Sequence, residues 1–154
     1  MSVTVSVELD ATPLQVWAFI EPIERHVDWM TDAVAIRFQT AQTRDVGTTF
    51  LCDTRIGPIR LVDQMEITEW RPIVDSTGAA GGRMGVRHTG IVAGAGVFTI
   101  EAISGSRTRF TWTEQLDFPW YLGGRLGAFV GGRLVLGPIW RRNLATLKRL
   151  VEAM

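Results

Sequence analysis

Cysteine is nearly absent from this chain of 154 residues, since Cys52 is the only one. A single cysteine excludes an intramolecular disulfide and a cysteine metal cluster. Histidine is almost as scarce: His26 and His88 are the only two, and neither stands at metal-ligand spacing from an acidic residue. We therefore expect no metal ion and no cofactor. An excess of charge is also missing, with 16 basic and 16 acidic residues, so the composition indicates no electrostatic attraction to nucleic acid or to an anionic membrane.

Long hydrophobic runs and common catalytic motifs are missing as well. No uncharged stretch reaches 18 residues, so we expect no membrane span. The alternating start of the chain is unlike a signal peptide, and we expect a cytoplasmic protein. The phrases GAAGG and GAG lack the lysine and helix start of a phosphate loop, and no G-x-S-x-G nucleophile motif occurs. Aromatic residues are interleaved with apolar rather than basic ones, which argues against nucleic acid as a partner.

What the sequence does contain is a regular alternation of apolar and polar residues over most of its length. The alternation predicts a half-buried strand at 3–9, and cap and proline signals predict two short helices at 13–20 and 22–30. Over 33–118 the pattern predicts six more strands, whose short connections require antiparallel pairing. This length and order suit a single domain spanning 1–154.

The last part of the chain changes from alternation to helical periodicity. Leu144, Leu147 and Val151 recur at helical spacing, so we predict one helix over about 120–152. Within it, the phrase GGRLGAFVGGRL repeats glycine at every fourth position, and Pro138 should kink the helix. A glycine row either leaves space beneath a helix or permits tight packing against the two short helices, and both interpretations stay open.

Several phrases, taken in order, resemble the START/Bet v 1-like superfamily, in particular its polyketide cyclase/dehydrase and lipid-transport group. They are VELDATPLQVWAFIEPIERHVDWM, GTTF, MEITEWRP, RHTGIVAGAGVFTIEA and RTRFTWTEQLDFP, which together span nearly the whole chain. The resemblance implies an α+β helix-grip fold, in which a seven-stranded curved antiparallel sheet, two short helices and a long C-terminal helix enclose a cavity. It also implies a small hydrophobic ligand such as a lipid, a sterol or a polyketide, but it transfers no catalytic residue. The loop at 74–82 looks inserted relative to the family.

Strand alternation assigns three ionisable side chains to otherwise apolar faces. Asp63, His88 and Glu114 each fall in register with the apolar residues of their own strand. A buried carboxylate is costly unless it is paired or neutralised, so the three can form one network that orients a ligand carbonyl or hydroxyl. A histidine beside a carboxylate can also move a proton, which makes the same residues acid–base candidates. Alternatively, each is satisfied by a neighbouring group or is turned outward by a bulge.

The rest of the predicted cavity wall is apolar. Besides the three ionisable residues, we predict ligand contacts from Trp29, Phe50, Cys52, Met65, Phe98, Trp112 and Gly127. Trp29 should plug one end of the cavity. His26 and Asp28, by contrast, should lie on an exposed helix face.

Three classes of function fit these observations. The first, which we favour, is a monomeric or homodimeric binding or carrier protein for a small hydrophobic molecule that bears one or two polar groups. The second is an enzyme of the polyketide cyclase or dehydratase type that uses Asp63, His88 and Glu114. The third is an interaction protein whose cavity is a by-product of its fold. The fold cannot choose among them.

Overall fold

A seven-stranded antiparallel sheet forms the body of the protein in a computed structural model that describes residues 1–122, 124 and 132–154. The strands are β1 (Ser2–Leu9), β2 (Ala33–Phe38), β3 (Thr49–Ile56), β4 (Ile59–Arg71), β5 (Gly82–Thr89), β6 (Ala93–Ser104) and β7 (Arg107–Asp117). They lie in the order β1-β7-β6-β5-β4-β3-β2, and every neighbouring pair is antiparallel. The predicted sheet of seven strands is confirmed.

Two short helical segments carry the chain from β1, at one edge of the sheet, to β2 at the other edge. Helix α1 spans Pro13–Ile20, and a 3-10 helix spans Ile23–Asp28. A capping box starts α1, because the Thr12 hydroxyl accepts from the Gln15 backbone N–H at 3.1 Å and the Gln15 side chain accepts from the Thr12 N–H at 2.9 Å. Both helical segments were predicted, and the second is of the tighter 3-10 type.

The C-terminal segment differs in detail from the single helix predicted over about 120–152. The described residues form a short 3-10 helix at Trp120–Leu122, a π-helical turn at Gly132–Leu136 and helix α2 at Gly137–Glu152. Pro138 stands in the first turn of α2, directly after the π-helical turn, so the helical backbone is continuous over 132–152. The change from π-helical to α-helical geometry thus falls next to Pro138, which removes a backbone N–H, and the kink predicted there stays a prediction.

Helix α2 packs against the sheet through one apolar face. Trp140 stacks on Trp112 of β7, with ring centroids 4.7 Å apart, and Leu144, Leu147 and Val151 are buried. The predicted face of α2 is therefore confirmed at all three leucine and valine positions. Each such side chain contributes about 1.5–3 kcal/mol by leaving water, so α2 is held firmly along this face.

Polar contacts fix the N-terminal half of α2 to the turn before β2. The fully buried Asn143 donates to Asp32 Oδ1 at 2.7 Å and accepts from both the N–H and the hydroxyl of Thr31 at 3.0 Å. Trp140 Nε1 donates to the other Asp32 oxygen at 3.3 Å.

Among the described helices, none combines the length and the hydropathy that a membrane span needs.

Candidate functional site: an apolar cavity with a buried Asp–His–Glu cluster

A cavity of about 120 Å³ lies between the sheet, the 3-10 helix and α2. Strands β3, β4, β5 and β7 supply most of its wall through side chains that alternate onto one face. The apolar members of the described wall include Ile23, Met30, Ile36, Phe50, Leu61, Met65, Ile67, Met84, Val86, Phe98, Trp112, Leu116, Phe118, Leu136 and Trp140. A wall of this composition suits an apolar ligand.

Three ionisable side chains meet inside this apolar wall. His88 Nδ1 lies 2.9 Å from Asp63 Oδ2, and His88 Nε2 lies 3.1 Å from Glu114 Oε2. His88 and Glu114 are buried, and the Asp63 side chain is 15% exposed. The structure thus brings together the three residues that strand alternation assigned to inward faces, with the imidazole between the two carboxylates.

One glycine of β6 leaves the space in which His88 and Glu114 meet. β6 lies between β5 and β7, and Glu114 on β7 is paired with Gly96 of β6. A Cβ built on Gly96 would lie within 2.5 Å of Cδ and Oε2 of Glu114, so the Glu114 side chain lies over Gly96 and reaches His88 across β6. Gly94, which is paired with His88, is required for a different reason: its φ is +139°, and a Cβ there would overlap the backbone carbonyl of Gln115.

The charges of the carboxylates control the protonation of His88. Burial by itself lowers the pKa of His88, but hydrogen bonds from the imidazole to Asp63 and Glu114, together with their negative charges, outweigh burial and raise the pKa to about 10. His88 is therefore an imidazolium at neutral pH. With both carboxylates ionised, the cluster carries one net negative charge.

His26 corrects one expectation from the sequence, because it is buried rather than exposed. It lines the cavity, and its Nε2 lies 2.7 Å from the carbonyl oxygen of Ile20. A carbonyl oxygen only accepts, so Nε2 carries the hydrogen. Burial lowers the pKa of His26 to about 4, against smaller opposing effects of the Ile20 carbonyl and Glu24. This histidine is therefore neutral at physiological pH, and its Nδ1 carries no hydrogen.

The other residues predicted to contact a ligand fall into three groups. The first lines the cavity, and its members are Phe50, Cys52, Met65, Phe98 and Trp112.

Trp29 is the one member of the second group: it does not line the cavity. Its ring is buried against Phe98, Phe110 and Trp112, behind the wall rather than at one end of the cavity. Within the described part of the chain, Trp29 Nε1 has no hydrogen-bond partner. Gly127 makes up the third group. It lies outside the described residues, as does the rest of the predicted glycine row. Contact of any of these residues with a ligand stays a prediction.

Cys52 lines the cavity as an unreactive thiol. Burial raises the pKa of Cys52 to about 11, and the nearby carboxylates of Asp63 and Asp32 contribute to the rise, while a hydrogen bond from Thr54 opposes it. Because the thiolate is the nucleophilic form of cysteine, a pKa this high leaves almost none at neutral pH. Cys52 therefore serves as wall rather than as a nucleophile.

Sequence and structure comparisons agree with this architecture. The model of the family described as polyketide cyclase/dehydrase and lipid transport matches residues 1–152, and the chain belongs to that family. No curated protein matches the sequence significantly. The resemblance to the START/Bet v 1-like superfamily and the helix-grip fold are thereby confirmed.

Solved structures with the same fold share little sequence with this chain. A protein from Thermus thermophilus superposes with a TM-score of 0.74 at 14% identity, covering 99% of this chain and 98% of that chain. A START superfamily protein from Mycobacterium smegmatis gives 0.67 at 11% identity, covering 99% and 94%. The di-domain ARO/CYC protein BexL from the BE-7585A biosynthetic pathway gives 0.71 at 16% identity, covering 100% of this chain and 50% of that chain. Identities this low establish a common fold and nothing finer.

Proposed function

We propose that this protein binds a small, mainly apolar molecule in the cavity, with the Asp63–His88–Glu114 cluster contacting the polar part of the ligand. The observation that carries the proposal is the contrast between an apolar wall and one concentrated polar cluster within it. In ligand pockets, apolar walls supply affinity and a few convergent polar groups fix orientation. The family description, which includes lipid transport, supports the same function.

The volume of the cavity favours a compact ligand. About 120 Å³ accommodates on the order of ten water-sized groups, which is less than the roughly 300–1,000 Å³ of pockets for drug-sized molecules. A single or fused ring system with a short polar arm suits this space better than a sterol does. We therefore favour a compact lipid or an aromatic, polyketide-like molecule.

A pair of valine substitutions tests whether the cavity is the binding site. Val86 lines the cavity, so Val86→Phe should fill it and weaken binding of 2-naphthol at least ~10-fold, as expected when about 1.4 kcal/mol of contact is lost. Val62 is 50% exposed and is absent from the cavity wall, so Val62→Phe makes the same chemical change outside the site and should leave the affinity unchanged. Isothermal titration calorimetry measures both, and circular dichroism checks the fold. Equal affinities in the two variants would refute the proposal.

A second candidate function is an enzyme of the cyclase or dehydratase type. The family description and the fold shared with the ARO/CYC protein BexL support it, as does a histidine held between two carboxylates. An efficient general base has a pKa near the working pH, whereas the pKa of His88 is raised to about 10, and this favours binding over catalysis.

Glu114→Gln separates the two functions. In an enzyme it should preserve ligand affinity and remove at least ~100-fold in the turnover of a poly-β-ketone substrate, the usual scale of acid–base contributions. In a binding protein it should weaken affinity, and no turnover should occur in either form. A turnover that Glu114→Gln abolishes would replace the binding function with the catalytic one.

A further inference from the structure

From the hydrogen bonds around the cavity, we infer that the ligand presents a hydrogen-bond donor, a hydroxyl or a protonated amine, to the Asp63–His88–Glu114 cluster. An acceptor-only group such as a carbonyl or a carboxylate does not fit there. The inference rests on the proposed function, because it concerns the ligand of that same cavity. It narrows the ligand from any small apolar molecule to one whose polar group carries a hydrogen.

The cluster keeps its own hydrogens between its members. Both ring nitrogens of His88 face carboxylates, at 2.9 Å from Asp63 Oδ2 and 3.1 Å from Glu114 Oε2. A hydrogen shared by such a pair lies between the two side chains whichever atom carries it. Since an imidazole has no other polar hydrogens, His88 has none left for a ligand.

The two indole groups of the wall are also engaged. Trp112 Nε1 donates to Glu114 Oε1 at 3.0 Å, and Trp140 Nε1 donates to Asp32 Oδ2 at 3.3 Å. An indole N–H has one hydrogen and can only donate. In both tryptophans that hydrogen is already bonded to a carboxylate oxygen. Neither tryptophan offers a free hydrogen to the cavity.

The remaining polar side chains of the described wall give the same result. His26 donates from Nε2 to the Ile20 carbonyl, and its Nδ1 can only accept. The Thr54 hydroxyl donates to Cys52 Sγ at 3.7 Å, and the Cys52 thiol donates to the Asp53 carbonyl at 4.0 Å. Every polar side-chain donor on the described wall is therefore directed at a protein acceptor.

Acceptor capacity, in contrast, is left over. Each carboxylate oxygen can accept about two hydrogen bonds, and each oxygen of Glu114 receives one, from Trp112 or from His88. Both oxygens of Asp63 share the single Nδ1 hydrogen of His88. A ligand hydroxyl or ammonium satisfies these lone pairs, and an ammonium also balances the net negative charge of the cluster. A carbonyl or carboxylate would lose its water and, along the described wall, would find only other acceptors among the side chains.

A series of naphthalenes of similar size tests the inference on the native protein. At pH 7, 2-naphthol supplies a neutral hydroxyl, 2-naphthylmethylamine an ammonium, 2-acetonaphthone a carbonyl, 2-naphthoate a carboxylate, and 2-methylnaphthalene no polar group. Titration calorimetry should give 2-naphthol and the amine about tenfold to hundredfold higher affinity than 2-methylnaphthalene, the range for hydrogen bonds to charged groups. The ketone and the carboxylate should bind no better than 2-methylnaphthalene.

Each outcome of the series supports or overturns a defined statement. If 2-acetonaphthone or 2-naphthoate equals or exceeds 2-naphthol, the cavity binds apolar molecules but the donor requirement is wrong. If 2-methylnaphthalene equals 2-naphthol, the cluster plays no part and the inference again fails, while the proposed function stands. If no member of the series binds, the proposed function fails and the inference falls with it. Preference for the amine over 2-naphthol would support the inference and identify a cationic ligand.

Two variants connect the preference to the cluster. Glu114→Gln and Asp63→Asn each remove a negative charge and introduce an amide donor, so each should reduce the advantage of 2-naphthol over 2-methylnaphthalene at least ~5-fold. Glu66→Gln is the matched control, because Glu66 pairs with Arg87 away from the cavity on the same two strands as Asp63 and His88. An unchanged advantage in both cluster variants would overturn the inference. The series on the native protein decides the question alone if the variants do not fold.

Discussion

Gly96→Ala is the smallest change that should disrupt the candidate site. The added Cβ would lie within 2.5 Å of Cδ and Oε2 of Glu114, and its closest contact would be with Glu114 Oε1. Contacts this short do not occur between non-bonded atoms in folded proteins, so the Glu114 carboxylate must move. It is held by Trp112 and His88 at 3.0 and 3.1 Å, and the movement breaks or lengthens both hydrogen bonds.

The cost of Gly96→Ala follows from those two bonds. A hydrogen bond to a charged group contributes about 1.5–3 kcal/mol, and replacing glycine by alanine in a strand returns about 0.5–1 kcal/mol. The free energy of unfolding should therefore fall by roughly 2–5 kcal/mol, a large fraction of the 5–15 kcal/mol of an ordinary domain.

Urea unfolding, followed by tryptophan fluorescence and by circular dichroism, measures this loss. Gly105→Ala is the matched control, because no atom lies within 4 Å of a Cβ built on Gly105, so its stability should equal or exceed that of the native protein. The double variant Gly96→Ala/Glu114→Ala isolates the cause. Compared with Glu114→Ala alone, the double variant should have a free energy of unfolding lower by less than about 0.5 kcal/mol, the limit of additivity for independent sites. A cost that persists in the absence of Glu114 would refute the reasoning.

The remaining predictions concern a buried asparagine and the two histidines. Asn143→Ala leaves Oδ1 of Asp32 and the backbone N–H of Thr31 without the partner that Asn143 provides, so urea unfolding should show a loss of about 2–4 kcal/mol, and a loss under 1 kcal/mol would contradict the role of Asn143. The folded pKa of His88, about 10, lies above its ordinary 6.5, so the stability that His88 contributes is complete below pH 6.5 and is lost as the pH rises toward 10. The folded pKa of His26, about 4, lies below 6.5, so its contribution is lost as the pH falls from 6.5 toward 4. Unfolding measured from pH 4 to 9 should give a maximum near pH 6.5, and a steady rise up to pH 9 would be inconsistent with the pairing of His88.

The sequence was sufficient to predict the inward positions of Asp63, His88 and Glu114, because side chains alternate with a period of two and only a bulge changes the face. The bulge of β4 lies between Ile67 and Glu69, beyond Asp63, and the bulge of β6 follows Ala102. Neither falls between a cluster residue and the apolar neighbours that define its face. The hydrogen bonds themselves could not be predicted, since they depend on which strands become neighbours and on the bare backbone of β6.

His26 shows where sequence reasoning failed. We predicted that His26 lies on an exposed helix face, but it follows the fully buried Ile23 by three residues in the 3-10 helix Ile23–Asp28. Residues three apart share one face in an α-helix as well as in a 3-10 helix, so this spacing already indicated burial. In so short a segment the sequence does not show which face packs against the sheet, and the polar character of histidine favoured the wrong one.

Stability alone does not explain the Asp63–His88–Glu114 cluster. Apolar residues of similar volume in place of a buried ion cluster are often neutral or stabilising, and the cavity wall around this cluster is already apolar. β6 also carries Gly96 beneath it, and a glycine within a strand costs about 0.5–1 kcal/mol relative to alanine. A chain selected only for a stable core would gain by replacing the three charges and, with them, Gly96. These costs support the proposal that the cluster is part of a binding site, whose unfavourable terms are offset when a donor-bearing ligand occupies the cavity.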